Sequence, residues 1–176
     1  GELRAVAVAV GPGSFTGLRV GLSLAKGIAA AQSIPLIALS TLDASAFPHL
    51  EQERAVAALV QAGRGRHAWA LYPPTLTRAA PWGPVSALAT VAEIGDALAA
   101  SDGPLTLVGD LDGSEREMLA AKLGARLAVL PPALALRSPA ALAALGWLRL
   151  VAGESDDPAT VEPLYLTAPT SGTTHG

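Results

Sequence analysis

The residues of this chain best placed to do chemistry stand in one string, Gly11-Pro12-Gly13-Ser14-Phe15-Thr16-Gly17-Leu18-Arg19. The string lies between an apolar, β-branched run at Leu3 to Val10 and helically spaced apolar residues from Leu18 to Ala31. A glycine-rich turn from a strand into a helix lets backbone amides approach an anion at the helix N-terminus. Two nucleotide readings nevertheless fail on spacing. No Gly-Lys-Ser/Thr triplet follows, and Lys26 lies too far along the helix for a P-loop. For a dinucleotide fingerprint the third glycine falls one position late, and Asp43 stands beyond the next strand instead of closing it. Ser14 and Thr16 as nucleophiles lack the G-x-S-x-G spacing and a nearby His-Asp pair. Their expected work is to cap the helix that begins near Gly17. By glycine count alone the string fits a tight strand-to-helix turn.

The other reactive groups are sparse. The three histidines, His49, His67 and His175, form no i, i+4 pair, and there is no cysteine to supplement them. No metal site is expected, His49 and His67 read as surface or edge residues, and His175 reads as tail. Arg64, Arg66, His67 and Arg78 are the only local basic cluster, more in keeping with a solvated hairpin tip than with an RNA contact. Gly17, Gly21, Ala25 and Ala29 recur every fourth residue, a smooth helical face that admits a second helix either within the core or across subunits.

Composition narrows the classes. At 176 residues the chain is long enough for a real hydrophobic core, and 51% hydrophobic against 15% charged residues excludes a disordered polyelectrolyte. A spanning helix needs about 20 uninterrupted apolar residues. The longest charge-free stretch, Gly27 to Leu42, contains Pro35 and several polar side chains, so no membrane role is expected. The run Ala5 to Val10 is too short for a signal peptide. Absence of cysteine fits a reducing, cytoplasmic setting. A net charge of −3 argues against a broad nucleic-acid footprint. The first residue is Gly1 rather than methionine, consistent with processing or a cut.

The elements that must position these residues follow from periodicity. Leu3 to Val10 is predicted as a strand, Leu18 to Ala31 as a helix, Ile34 to Leu39 as a strand, and Ser40-Thr41 with Asp43 as caps of a helix to about Leu50. Arg54 to Ala62 and His67 to Tyr72 read as a hairpin around Gly63-Arg64-Gly65-Arg66, with an edge strand near Thr75 to Ala79. A capping box at Thr90 to Glu93 opens a helix to about Ala100. Leu105 to Val108 is a strand, Ser114 to Glu117 a second capping box for a helix to Leu123, and Ala125 to Leu130 a strand. Ser138-Pro139 opens a helix to Ala152, stopped by Gly153, and Val161 to Leu166 is strand-like. Leu3 to Leu50 and Leu105 to Ala152 share the order β-α-β-α. Two copies of one unit are therefore expected, with the first lacking its β-β-β-α start. The expected division is residues 1–53, 54–153 and a tail at 154–176.

The string from Gly11, continued by Val20-Gly21, Ala25-Lys26-Gly27 and Pro35-Leu36-Ile37-Ala38-Leu39-Ser40-Thr41-Leu42, closely resembles the TsaB family, also called YeaZ. Val161-Glu162-Pro163-Leu164-Tyr165-Leu166 is similar to that family's C-terminal signature. The hairpin at Ala55 to Tyr72 and Leu105 to Asp110 resemble it more loosely. The resemblance implies an α/β, actin-like ATPase fold of two ribonuclease-H-like lobes, here with the first lobe incomplete. It implies a non-catalytic dimerisation subunit in formation of threonylcarbamoyl-adenosine in tRNA, without a cofactor of its own. The implied partners are a TsaD-like paralogue that performs the transfer and a TsaE-like ATPase, with a homodimer when alone and tRNA met mainly through the complex. Pairing through the first lobe's helix implies an interface of Gly17, Leu18, Gly21, Leu22, Leu24, Ala25, Ile28 and Ala29, with Arg19, Ala31 and Gln32 at its margins. Relatives commonly read D-A-R-x-G-E where this chain has Gln61-Ala62-Gly63-Arg64-Gly65-Arg66. The resemblance reads that change against nucleotide or metal chemistry at the tip. The competing class is a nucleotide-dependent enzyme of the same superfamily, to be told apart by an acidic residue on a glycine-led loop in each lobe; neither is expected here.

Overall fold

A computed structural model describes residues 2–50, 53–75, 87–130 and 137–165. Its strands lie in two separate sheets, as the repeated β-α-β-α order predicts. The first sheet holds β1 (Val6–Gly11) and β2 (Leu36–Ser40), parallel, with Val6 opposite Leu36 and Ala9 opposite Leu39. The crossover between them is α1 (Phe15–Gln32), closed by Ser33 in the left-handed region. Leu18, Leu22, Ala25 and Ala29 recur at helical spacing and are buried, the last three packing on Val8 and Leu36.

The second sheet runs β5-β4-β3-β6-β7 and comprises β3 (Ala55–Gly63), β4 (Arg66–Tyr72), β5 (Ala87–Thr90), β6 (Leu105–Gly109) and β7 (Leu127–Val129). The β3–β4 and β4–β5 pairs are antiparallel, and β3–β6 and β6–β7 are parallel. Strand β3 is buried on both faces, which explains its unbroken apolar run. Ala57 and Leu59 face Ile94, Leu98 and Leu119 of α3 (Val91–Ala99) and α4 (Gly113–Leu123). Val56, Ala58 and Val60 face Leu42 and Ala46 of α2 (Thr41–Ala46), a short helix buried along its whole length between the sheets. The Tyr72 hydroxyl donates to Asp43 Oδ1 at 2.7 Å there, and burial pushes the Asp43 carboxyl above its usual range.

Several predicted boundaries move. Helix α2 ends at Ala46, because Pro48 leads the chain into a 3₁₀ turn over Phe47–His49. The edge strand is β5, not Thr75 to Ala79: Thr75 lies in a turn and 76–79 fall outside the described residues. The Thr90 capping box stands as expected. The box of α4 is Asp112 with Glu115, not Ser114 with Glu117; Asp112 Oδ1 accepts from the Glu115 amide at 2.8 Å, and the Ser114 hydroxyl donates to the same oxygen. Residues 161–165 form no ladder and are joined to β1 by the Leu164 amide donating to Val10 O at 2.6 Å.

The largest correction concerns α5 (Pro139–Val151), the last helix among the described residues. Its Ala141 and Leu145 pack with Ile37, Leu39 and Phe47, so it covers the first sheet, not the second. A Cβ at Gly146 would stand 2.8 Å from that of Ala7, which shows how closely α5 approaches β1. The expected boundary at residue 153 therefore does not divide the packing: the second sheet ends at β7, and the chain after it returns to the first. Arg149 fastens the return, donating to Ala38 O at 2.7 Å and to Asp156 Oδ2 at 3.1 Å, while Asp156 Oδ2 accepts from the Ala38 amide at 2.7 Å.

Candidate functional site: the glycine-led turn and the outer face of helix α1

The turn from Gly11 to Gly17 leaves β1 through a φ of +123° at Gly11. A Cβ at Gly11 would meet Leu164 O at 2.6 Å and Leu18 Cδ1 at 3.1 Å, so both backbone conformation and space demand glycine. The Gly11-Pro12 peptide is cis. Gly11 and Pro12 are buried, and Gly13 rests on the Leu18 side chain. Ser14 caps α1, its Oγ accepting from the Gly17 amide at 3.4 Å, and Thr16 is exposed. Leu18 and Leu164 of the chain itself thus pack against the start of the turn.

The second lobe builds the same corner at the end of β6. Gly109 takes φ +111°, and a Cβ there would collide with the Leu59 carbonyl. Asp110 and Asp112 follow, so, against expectation, the glycine-led turn of the second lobe does carry acidic residues. Both carboxylates are engaged. Asp112 caps α4, and hydrogen bonds from the Glu115 amide and the Ser114 hydroxyl hold its pKa below the usual range. Asp110 Oδ2 accepts from Arg137 Nη2 at 2.8 Å and from the Gln61 amide at 3.3 Å.

Of the basic residues singled out, Arg64 is exposed at the hairpin tip and Arg66 is half-buried, while Arg78, like His175, lies outside the described residues. His67, expected at the surface, is 1% exposed, with Nε2 3.7 Å from Glu115 Oε2. It sits on β4, whose alternate residues must face inward, and the run from Arg66 through Tyr72 gave that direction away. Among the described residues no three His, Cys, Asp or Glu side chains group to hold a metal.

Of the predicted interface residues, Gly17, Gly21, Leu24 and Ile28 lie toward the outer face of α1, whereas Leu18, Leu22, Ala25 and Ala29 are buried against the chain's own sheet. The outer face carries Val20, 63% exposed, and Leu24, 64% exposed, an i, i+4 pair that the small-residue pattern concealed. At its N-terminal end stand Phe15, Arg19 and, from the far end of the chain, Tyr165. No helix among the described residues is long and apolar enough to cross a membrane.

Sheet order and the repeated strand-to-helix corner define a two-lobed, actin-like α/β protein with, among the described residues, two strands in its first sheet and five in its second. The solved YeaZ from Pseudomonas aeruginosa shares this fold at TM-score 0.68 and 22% identity, over 93% of this chain and 74% of that one. A second Pseudomonas aeruginosa structure, described as similar to the peptidase YEAZ, gives TM-score 0.70 at 23% identity over 94% and 74%. The family model for "TsaD: tRNA N6-adenosine threonylcarbamoyltransferase" matches residues 1–81. The tRNA threonylcarbamoyladenosine biosynthesis protein TsaB of Escherichia coli is 38% identical over 73 residues, 40% of this chain and 32% of that protein. TsaB of Bacillus subtilis is 37% identical over 71 residues, 40% and 31%. The chain is thus similar to the TsaB proteins over regions that span about a third of their length.

Proposed function

We propose that the chain is a non-catalytic subunit for threonylcarbamoyl-adenosine formation in tRNA, pairing with a TsaD-like transferase in the cytoplasm. The identity to proteins named TsaB carries this reading. The geometry supports the non-catalytic part: the motif turn is packed by Leu18 and Leu164, Ser14 is occupied as a cap, and the acidic groups of the second corner are bound by Arg137 and by α4. A peptidase reading has little support, because Ser14 lies beside the first sheet while the buried His67 is a strand residue of the second. In this reading a TsaE-like ATPase joins the assembled pair, tRNA is met through the complex, and the chain alone forms a homodimer.

The outer face of α1 is the proposed pairing surface, with Gly21 near its middle; nothing lies within 4 Å of a Cβ placed there. Gly21→Glu should keep the circular-dichroism spectrum and lose the complex with the TsaD-type paralogue by light scattering. An intact complex in the folded variant moves the interface elsewhere. Titration with ATP or ADP should give no heat of binding; a saturable isotherm would favour a nucleotide-dependent enzyme instead.

A further inference from the structure

Asp43 and Tyr72 form an ionisable pair buried between the two sheets, apart from the turn and the helix face described above. Asp43 is the third residue of α2, which leaves β2 directly, with Ser40 both the last strand residue and the N-cap. Tyr72 is the last residue of β4 in the second sheet. The 2.7 Å hydrogen bond from the Tyr72 hydroxyl to Asp43 Oδ1 therefore runs from one lobe to the other. The contact around it is apolar: Leu42 and Ala46 pack on Val56, Ala58 and Val60, and Phe47 just beyond packs with Ile37 and Leu39 of the first lobe.

A carboxylate held there gives up its water, and one hydroxyl replaces only part of that hydration. Burial is the larger influence on Asp43 and pushes its carboxyl above the usual range, while the Tyr72 hydrogen bond pulls the other way. Burial, and then the Asp43 charge, hold the Tyr72 phenol above its own range, so its hydroxyl stays a donor. Helix α2 holds no ionisable residue besides Asp43, and neither do β1, β2, β3 and β6, which pack against it. From β4 come Tyr72, Arg66 at the opposite end of the strand, and His67, turned toward Glu115. Helix α5 brings Arg149, engaged by Glu154 and Asp156, and the 3₁₀ turn brings His49.

We infer that the Asp43–Tyr72 pair is a proton-operated latch between the lobes: with Asp43 neutral it closes α2 onto the second sheet, and ionisation of Asp43 loosens that contact. The neutral acid loses little by staying dry, whereas the carboxylate regains water only where α2 lifts from β3 and β4. Asp43 holds its proton more tightly in the closed form than when exposed. The latch is therefore complete below the ordinary aspartate range and weakens as pH rises through the raised value.

Amide hydrogen exchange of the whole chain, followed by NMR across pH and corrected for the intrinsic rate, reads the latch. Protection in α2 should fall as pH rises, by about tenfold for each unit between the exposed and the buried Asp43 values, while Ile94 and Leu98 in α3 keep theirs. Asp43→Asn leaves an uncharged acceptor for the Tyr72 hydroxyl and should hold α2 at the wild type's acid protection at every pH. Tyr72→Phe should lower protection in acid about threefold to tenfold. It should also move the fall to higher pH, because the hydrogen bond that favoured the carboxylate is gone, a shift that a purely structural tyrosine would not give. Flat protection of α2 in the wild type overturns the latch. A slope that persists in Asp43→Asn assigns the proton to another group and overturns it too, and a slope shared by Ile94 and Leu98 makes it global unfolding instead of a loosened contact. Should Asp43→Asn not fold, the wild-type Asp43 carboxyl carbon decides: a titration above the ordinary aspartate range supports the latch, and one within or below that range overturns it.

Discussion

The two strand-to-helix corners, β1 into α1 and β6 into α4, solve one geometric problem with different parts. Each leaves its strand through a glycine of positive φ, +123° at Gly11 and +111° at Gly109, and each presses a carbonyl into the space a Cβ would fill. At Gly109 that carbonyl belongs to Leu59, in a strand paired on both sides within a five-stranded sheet. At Gly11 it belongs to Leu164, in a tail segment joined to β1 by one backbone hydrogen bond. The corner is a property of the unit, while its rigidity depends on what lies beside it. The first lobe's corner lies under a tail segment next to an exposed helix face, and the second's lies under a strand within the sheet.

The largest expected effect comes from breaking the locked corner. Gly109→Ala forces a side chain into strand backbone that has nowhere to go, and should cost about 3 kcal/mol or more in urea unfolding. Gly11→Ala meets the same conformational strain but pushes against a segment outside any strand ladder, so about 1–2 kcal/mol is expected. Equal losses at both glycines would mean that the tail is as fixed as β3. Smaller again is Ser14→Ala, which removes a cap bond and should cost about 0.5–1 kcal/mol while leaving complex formation intact.

The smallest effect separates the corners by pH. Asp112, hydrogen-bonded as a carboxylate, has a folded pKa below its unfolded one. Its contribution is complete above the ordinary aspartate range and is lost as pH falls through the lowered value. The Ser14 cap does not titrate. Melting temperature followed from neutral pH into acid should therefore decline less steeply in Asp112→Ser than in the wild type, and Ser14→Ala should leave the slope alone.

Much of this was legible in the residues. Strand β1, helix α1, the β3–β4 hairpin and the Thr90 cap all carry strong periodic or turn chemistry. Leu142, Leu145, Trp147 and Leu148 surround the axis of α5, so its periodicity does not say which sheet it covers. Strand β5 is four residues long and rich in alanine, too short to show alternation beside the cap that follows it. On α1, small residues at every fourth position advertise close packing without saying to which side, and the burial of Leu18 and Leu22 sets that side. Tyr165 was visible only as part of a terminal signature, since no local pattern relates it to Arg19 across nearly the whole chain.

The most direct test of the central claim is reconstitution. The TsaD-type paralogue, a TsaE-type ATPase, threonylcarbamoyl-adenylate and unmodified tRNA are incubated with and without this chain, and threonylcarbamoyl-adenosine is quantified by mass spectrometry of nucleosides. The account predicts modification that depends on the chain, survives Ser14→Ala and Thr16→Ala within about twofold, and disappears with Gly21→Glu. Full modification without the chain, or its loss on Thr16→Ala in a variant that still forms the complex, would contradict a non-catalytic subunit acting through α1.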